Sequence, residues 1–517
     1  LTDENAQSIQ QHHFQSYKYE TDVSYTCPDT LNVYTLKDTF SYSLNSQAGW
    51  CGAPVILENN NVQGKIIGVH SWGITGIAKG GCAIVSREDL EKFFMGKATT
   101  QSFLTPAKNR YAPSINGICN LKNYVKNTRK TKIHPSEFYN HVPTVKKPAN
   151  LSSITLIENS IKKFSRDVYT VKRSILRRVE NHIISILNKL PLDNLDIRSD
   201  YNSSISSYND LAGINLTTSP GYPWVDLNLD KRKLVDNTDG NYKIIDEDLL
   251  SVLEYREKCY ENNAIPFTIW TSCCKDELLK PGKDTRLFEI GPIEQVIHGR
   301  KLFATFMDFF HKNHCKFFSA VGMNPESEEW HEMVKHLISI GDNGLFSDWK
   351  HFDCTELSSF MFATCRIINA WYDRNVKDGR SRDRTLFFAE GMFRYTKVGN
   401  LLLLIITGLA SGWLLTTIVN TINNAIIHFY IYLTLAPVRY ASLRYLNCHS
   451  AMYLYGDDAV ISVSTEIANF YNSVTIALEA EKFGMFMQSD KKGDEVVKTQ
   501  HILDLTFLKR SIASSLL

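Results

Sequence analysis

The stretch that most limits what this chain can become is AMYLYGDDAVISV, residues 451–463, where two adjacent acids, Asp457 and Asp458, interrupt alternating apolar and small residues. That alternation predicts a strand, Gly456 supplies the backbone freedom for a tight turn, and the residues after the acids predict a returning strand. Both carboxylates then stand at an exposed hairpin tip. A pair placed there suits either plain hydration or divalent cations. Hard cations prefer oxygen ligands, and two of them close together activate an attacking hydroxyl while stabilising a leaving pyrophosphate. One hairpin cannot surround two ions, so the choice depends on whether another strand brings a further acid.

LFSDWKHFD, residues 345–353, is such a strand: it delivers Asp348 at its end and a second acid, Asp353, five residues on. An acid pair at this spacing is common on surfaces, but Asp348 can join Asp457 across a sheet while Asp353 points elsewhere. Downstream, SGWLLTTIVNT runs from Ser411 and Gly412 into a predicted helix. Thr416 and Asn420 are four apart and share a helical face, which can present a hydroxyl and an amide to a ribose with Asp353 in the same network. A 2′-OH both donates and accepts, so such a network reads the sugar. The segment from Glu466 to Lys482 predicts a helix, followed by FGMFMQSDKKG with Lys491 and Lys492.

Upstream lie two loop-rich stretches, the second of them basic. Thr217-Thr218-Ser219-Pro220-Gly221-Tyr222-Pro223 combines turn formers with hydroxyls suited to hugging a nucleic-acid strand. Lys275, Lys280, Lys283 and Arg286 gather cations that can grip a triphosphate, and the Arg286 guanidinium can stack on a base. The segment Ile161–Leu190 predicts one or two basic-faced helices.

The first hundred residues have a different character. Gly49-Trp50-Cys51-Gly52 sits between two strand-like runs, and a turn of that kind exposes a thiolate beside backbone amides able to form an oxyanion hole. A strand ending in His70 follows. The histidines before Cys51 are His12 and His13, in a polar segment, so no base is evident. Gln101-Ser102 then marks a change of pattern.

At 517 residues with a net charge of +2, the chain is long enough for two or more domains and carries no global signal for nucleic acid; its basic residues act as local clusters. Eleven cysteines, an odd number without CxxC pairs, read as reduced thiols. The longest apolar run, Leu401–Ile406, is far too short for a transmembrane segment.

Taken in chain order, the motifs from Thr217 onward resemble those of the RNA-dependent RNA polymerases of picorna-like positive-strand RNA viruses. GWCG with GVHSWG resembles the chymotrypsin-like cysteine proteases of the same viruses. The implied fold is α+β: a right-hand polymerase over residues 102–517, with fingers about 102–305 and 384–407, palm about 306–383 and 408–512, and the thumb mostly absent. It is preceded by the incomplete C-terminal barrel of the protease over residues 1–101. The resemblance implies two Mg²⁺ ions, with Mn²⁺ as the alternative, held by Asp348, Asp457 and Asp458, and Lys491 or its neighbour Lys492 as the proton donor to pyrophosphate. It makes Lys275, Lys283 and Arg286 the nucleotide channel and Ser219, Pro220, Gly221 and Tyr222 the template loop. Lys509 and Arg510 of FLKR become the primer grip, Cys51 the protease nucleophile and His70 its specificity residue. The implied partners are an RNA template and primer, ribonucleoside triphosphates, a small protein primer and other viral replication proteins, at membrane-associated complexes in the host cytoplasm. Two alternatives stay open: a reverse transcriptase, and an RNA-binding fragment without activity.

Overall fold

The computed structural model describes residues 17–26, 33–43, 54–56, 66–73, 80–84, 115–120, 131–134, 146–149, 151, 162–164, 166–167, 169–192, 195, 197–198, 200–207, 211–238, 240–281, 285–345, 347–399, 401–487 and 496–513. The chain divides into two compact units, Leu1–Ser102 and Phe103–Leu517.

The first unit holds a five-stranded antiparallel sheet in the order Tyr17–Thr26, Val33–Tyr42, Gly80–Ile84, Ile66–Gly73, Pro54–Ile56. Tyr42, Val55 and Cys82 form its buried cluster. The strand carrying His70 does not end at the histidine but continues to Gly73, with a register shift between His70 and Trp72.

The second unit is built on two sheets. The smaller is antiparallel, in the order Ser450–Tyr455, Asp458–Val463, Asn343–Leu345, Gln500–His501. Its first two strands form the acidic hairpin, whose alternating side chains divide between two cores. Met452, Leu454, Ala459 and Ile461 join the main core. Ala451, Tyr453 and Val460 face the other way, onto Trp330, Met333, Val334 and Leu337 of the helix Glu328–Ile340. Those four recur at helical spacing, so one stripe of the helix covers one face of the hairpin. Both faces are buried, which is why the hairpin reads as almost continuously apolar.

The helix Thr416–Leu435, called here the long helix, runs through the main core and packs on Arg173–Leu187, Ser358–Asn375 and Ser473–Glu481. No described helix is long and apolar enough to cross a membrane. The second sheet has the order Leu287–Ile290, Ile269–Cys274, Arg394–Val398, Leu401–Ile405, Ile115–Asn120. Ile269–Cys274 and Arg394–Val398 run parallel, so strands from three distant stretches of chain close one sheet.

Two expected helices differ in detail. The segment Glu466–Lys482 is not continuous: a short helix, Thr465–Ala468, ends before Asn472, which caps Ser473–Glu481 in a reciprocal box with Thr475. Ile161–Leu190 gives one full helix, Arg173–Leu187, preceded by a single turn at Lys162–Phe164.

Candidate active site

At the tip of the acidic hairpin Tyr455 pairs with Asp458, leaving Gly456 and Asp457 as a two-residue loop. Gly456 has φ +65°, and a Cβ there would meet open space, so glycine answers a backbone need and not a packing one. Asp457 is exposed and Asp458 half-buried. Burial raises the Asp458 pKa, and the charges of Asp457 and Asp348 raise it further. Opposing them, the backbone N–H of Leu508 donates to Asp458 Oδ2 at 2.8 Å.

Asp348 therefore stands within electrostatic reach of the tip. Its strand stops at Leu345, so the acid lies just past the strand end and not on it. The residues after it are anchored: Trp349 bridges Met487, and Lys350 N–H donates to Phe486 O at 2.8 Å. Among the described residues no three Asp, Glu, His or Cys side chains already form a closed cation cage. The donor set nevertheless fits a hard cation, since it is all carboxylate oxygen and its mutual repulsion is relieved by positive charge. Mg²⁺ in particular is usually held by one or two carboxylates plus substrate phosphates and not by a complete protein cage.

Asp353 lies on the short helix Phe352–Thr355, where Asn420 Nδ2 donates to its Oδ1 at 2.7 Å. Burial, followed by the nearby charges of Asp457 and Glu289, pushes its pKa up to about 6 despite that hydrogen bond. Asn420 is itself buried, and its Oδ1 has no hydrogen-bond partner. An unpaired buried acceptor is costly and calls for a missing donor. Thr416 departs from expectation: its hydroxyl donates within its own loop, with Ala410 O at 2.9 Å and Trp413 O at 2.8 Å. It fixes the entry to the long helix because the last loop carbonyls lie within reach. That proton is not available to a sugar.

Sequence reasoning missed the residues that hold the tip. Thr421 Oγ1 accepts from Gly456 N at 2.8 Å and donates to Thr417 O at 2.7 Å. Asn424 Nδ2 donates to Gly456 O at 3.1 Å and Asp457 O at 3.3 Å, while its Oδ1 accepts from Trp349 Nε1 at 3.1 Å. One turn on, His428 Nε2 meets Ser347 Oγ at 3.1 Å, and burial takes its pKa down to about 3. One polar line on the long helix thus ties the chain around Asp348 to the Gly456-Asp457 turn. Polar residues at 420, 421, 424 and 428, recurring at helical spacing in a largely apolar helix, were the available signal.

The expected substrate groups are more dispersed. Lys275 is exposed, and its N–H donates to Arg286 O at 2.8 Å across neighbouring strands. Arg286 is not free to grip a phosphate at once: its Nε donates to Glu277 Oε1 at 2.7 Å and its Nη2 pairs with Glu277 Oε2. Glu277 most of all, with the charges of Asp457 and Asp353 beyond it, raises the arginine's pKa, so Arg286 lies within electrostatic range of those acids. Ser411 Oγ accepts from Glu289 N at 3.4 Å. A Cβ on Gly412 would lie 2.1 Å from Glu289 O, so only glycine allows this approach. Glu289 is fixed in turn by Arg394 Nε at 2.8 Å and Thr396 Oγ1 at 3.0 Å.

In the loop expected to guide the template, Gly221 has φ +80°, and a Cβ would lie 2.7 Å from Pro292 Cα. Ser219 Oγ accepts from Gly221 N, and Pro220 O accepts from Ile293 N. Tyr222 lies under Lys397, 4.9 Å from the ring centre. Lys509 sits in the turn between Thr506–Phe507 and Arg510–Ser511, and Arg510 pairs with Glu326 at 2.5 Å. In the first unit His70 is buried and hydrogen-bonded with the Tyr42 hydroxyl. Burial keeps its pKa below the ordinary range. Cys51, Lys283 and Lys491 lie outside the described residues.

With this geometry in place, residues 102–515 match the family model described as viral RNA-dependent RNA polymerase. The chain belongs to that family. Residues 9–76 match the model of the 3C cysteine protease, picornain 3C, so this viral polymerase is joined to a protease region. It is 24% identical over 549 residues to the replicase polyprotein of acute bee paralysis virus (strain Rothamsted), covering 94% of the chain and 28% of that polyprotein. With the genome polyprotein of human klassevirus 1 it shares 26% over 500 residues, covering 92% of the chain and 19% of the relative. The polymerase chain thus spans well under a third of these relatives. Among solved structures, Sicinivirus 3Dpol RNA dependent RNA polymerase matches with TM-score 0.63 and 21% identity, covering 79% of this chain and 82% of that one. The fold is that of a right-hand polymerase.

Proposed function

We propose that this chain extends an RNA primer by template-directed addition of ribonucleotides, as the replicating part of a longer viral polyprotein. The observation that carries this reading is that Asp348, from a separate stretch of chain, lies near enough to the acidic hairpin tip for its charge to act on Asp458 together with that of Asp457. Asp348, Asp457 and Asp458 would hold two Mg²⁺ ions, which lower the barrier to attack by the primer 3′-OH and offset charge on the departing pyrophosphate. The protein's own share is placement. Asn424 and Thr421 hold the acidic turn, Arg286 exchanges Glu277 for phosphate, and Asp353 with Asn420 reads the ribose. The unpaired Asn420 Oδ1 accepts the 2′-OH proton, which favours ribonucleotide over deoxyribonucleotide and argues against a reverse transcriptase. Lys491 is the proposed proton donor to pyrophosphate.

We assign the palm to the acidic sheet and its helices, and the fingers to the sheet containing Leu287–Ile290 and Arg394–Val398. A protein primer, other replication proteins and a cytoplasmic, membrane-associated setting follow from the family and belong to the same proposal. The test is primer extension on an RNA template with Mg²⁺ and rNTPs. Asp457→Asn should abolish extension while leaving salt-sensitive RNA binding in place. Undiminished extension by that variant would refute the assignment, and dTTP used in preference to UTP on a poly(A) template would refute the sugar reading.

A further inference from the structure

The helix Arg173–Leu187 carries charges for which the acidic site has no use. Leu176, Val179, Ile183 and Leu187 take its core side, while Arg173, Arg177 and Arg178 are exposed. Lys172, at the N-cap, is exposed too and makes no capping hydrogen bond. The first turn holds no acid, so cations stand where the helix dipole opposes them. Glu180, the one acid of this helix, is buried and taken by Arg366 at 2.6 Å. A second basic segment lies against the first. Arg178 Nη2 donates to Ala441 O at 2.7 Å, and His182 Nε2 meets Asn447 Nδ2 at 3.2 Å. From Ala436 to Gly456 the chain contains no acid, and it exposes Arg439 and Arg444. Among the described residues no carboxylate pairs with Arg173, Arg177, Arg178, Arg439 or Arg444. Glu466, beside Tyr445, is engaged by His449 at 2.8 Å.

Next to Arg439, Val438 is 97% exposed. Its base is nonetheless well packed: the Tyr440 ring lies 5.8 Å from Phe470 and 5.0 Å from Tyr445, and Tyr440 O accepts from Tyr432 Oη at 2.9 Å. An apolar side chain held clear of a packed base buries nothing within the chain, and such near-complete exposure makes it a convex point. A lipid headgroup layer deforms around a point of that kind, and an anionic one answers the arginines. RNA would meet the charge but gain nothing from a valine. Tyr440, Tyr445 and His449 also spend ring faces on one another, so they offer bases no free platform.

We propose that the exposed arginines of the helix Arg173–Leu187, the turn around Val438 and the helix Leu443–His449 form a surface that docks on an anionic lipid bilayer, with the guanidinium groups at the headgroups and Val438 entering between them. This surface is separate from the acidic site, and its docking requires nothing of the nucleotidyl-transfer reading.

The experiment floats the full chain with vesicles of phosphatidylcholine, alone or mixed with phosphatidylserine. The chain should float with the mixed vesicles and not with phosphatidylcholine alone, and should be released as KCl is raised. Arg177→Gln and Arg444→Gln should each weaken the partition about fivefold, the effect of one cation near such a surface. Val438→Ser should weaken it as well, with the salt dependence unchanged because no charge is lost. Melting temperatures and primer extension in solution should stay at the parent's values, since all three side chains are exposed and lie outside the acidic site. If Arg444→Gln melts below the parent, Arg439→Gln is read in its place. Equal flotation of the parent and the doubly substituted arginine variant would overturn the proposal. So would an unaltered Val438→Ser together with equal losses of lipid and of a single-stranded oligoribonucleotide in the arginine variants, because the surface would then take RNA as a plain polyanion. A parent chain that floats as expected without extending a primer would support this proposal and count against the polymerase reading alone.

Discussion

The two sides of the site are built on opposite plans. On the acidic side Gly456 N, Gly456 O and Asp457 O each meet a buried side chain of the long helix. On the cationic side Arg286 is largely exposed, and its partner Glu277 is partly buried. Buried hydrogen bonds fix a geometry because breaking them strands a donor or acceptor away from water, whereas an exposed ion pair contributes about 0–1 kcal/mol and is readily exchanged. The acidic turn is therefore fixed in place, whereas under the proposed function Arg286 would be kept loosely paired until a triphosphate arrives.

Asn424→Ala strikes the acidic side hardest. It removes the hydrogen bonds to Gly456 O and Asp457 O and leaves the Trp349 indole N–H buried without an acceptor. One stranded donor and the lost bonds together cost about 2–4 kcal/mol. Thermal unfolding should register a drop of several degrees, and extension should fall well beyond the loss of folded protein, because Asp348 and Asp457 lose their common brace. A variant with normal stability and activity would show that the tip is held by its backbone alone.

Gly412→Ala comes next. Its Cβ would enter the space of Glu289 O, so the loop has to move away from the sheet that carries Arg394. By contrast, Gly456→Ala meets no neighbour and costs about 1 kcal/mol of backbone strain. The two glycines sit in motifs of equal prominence, yet kinetic assays of the pair should separate them clearly, with Gly412→Ala the more damaging.

Asp353 gives the comparison a pH dependence. Its pKa is raised to about 6, so the sign is the reverse of a salt-bridged acid: the neutral form is favoured by the fold, and stability is lost as pH rises through 6. Asp353→Asn keeps an acceptor for Asn420 and removes the buried charge. It should raise the melting temperature above pH 6, by an amount equivalent to roughly 2–3 kcal/mol at most, and give no such gain near pH 4. The same variant should lower the preference for rNTP over dNTP. A melting temperature that falls at every pH would mean the ionised carboxylate is a structural requirement.

What could be read from the residues divides along similar lines. The hairpin, its glycine turn and the Asp353–Asn420 association were legible because short apolar runs flanking a glycine turn and helical spacing are local patterns. Asn472 and Thr475, which break the expected continuous helix, were equally local and carried a capping signature. The Leu508 N–H on Asp458 was not legible, since every residue but proline has that donor. Nor was the Glu289–Arg394 pair, which joins strands more than a hundred positions apart. Thr416 was misjudged because helical phase says which face a hydroxyl shares and not whether nearby carbonyls already hold it.

The smallest expected effect is on the cationic side and tests its looseness directly. Glu277→Gln removes the charge that occupies Arg286 but leaves an acceptor of similar shape. With the guanidinium largely exposed, stability should change by no more than about 1 kcal/mol. Arg286 would then meet a triphosphate without first giving up a carboxylate, so KM for rNTPs should fall modestly with little change in kcat, and more so at low salt, where surface charges are least screened. If KM rises instead, Glu277 orients Arg286 towards the nucleotide, and both sides of the site would be built in advance.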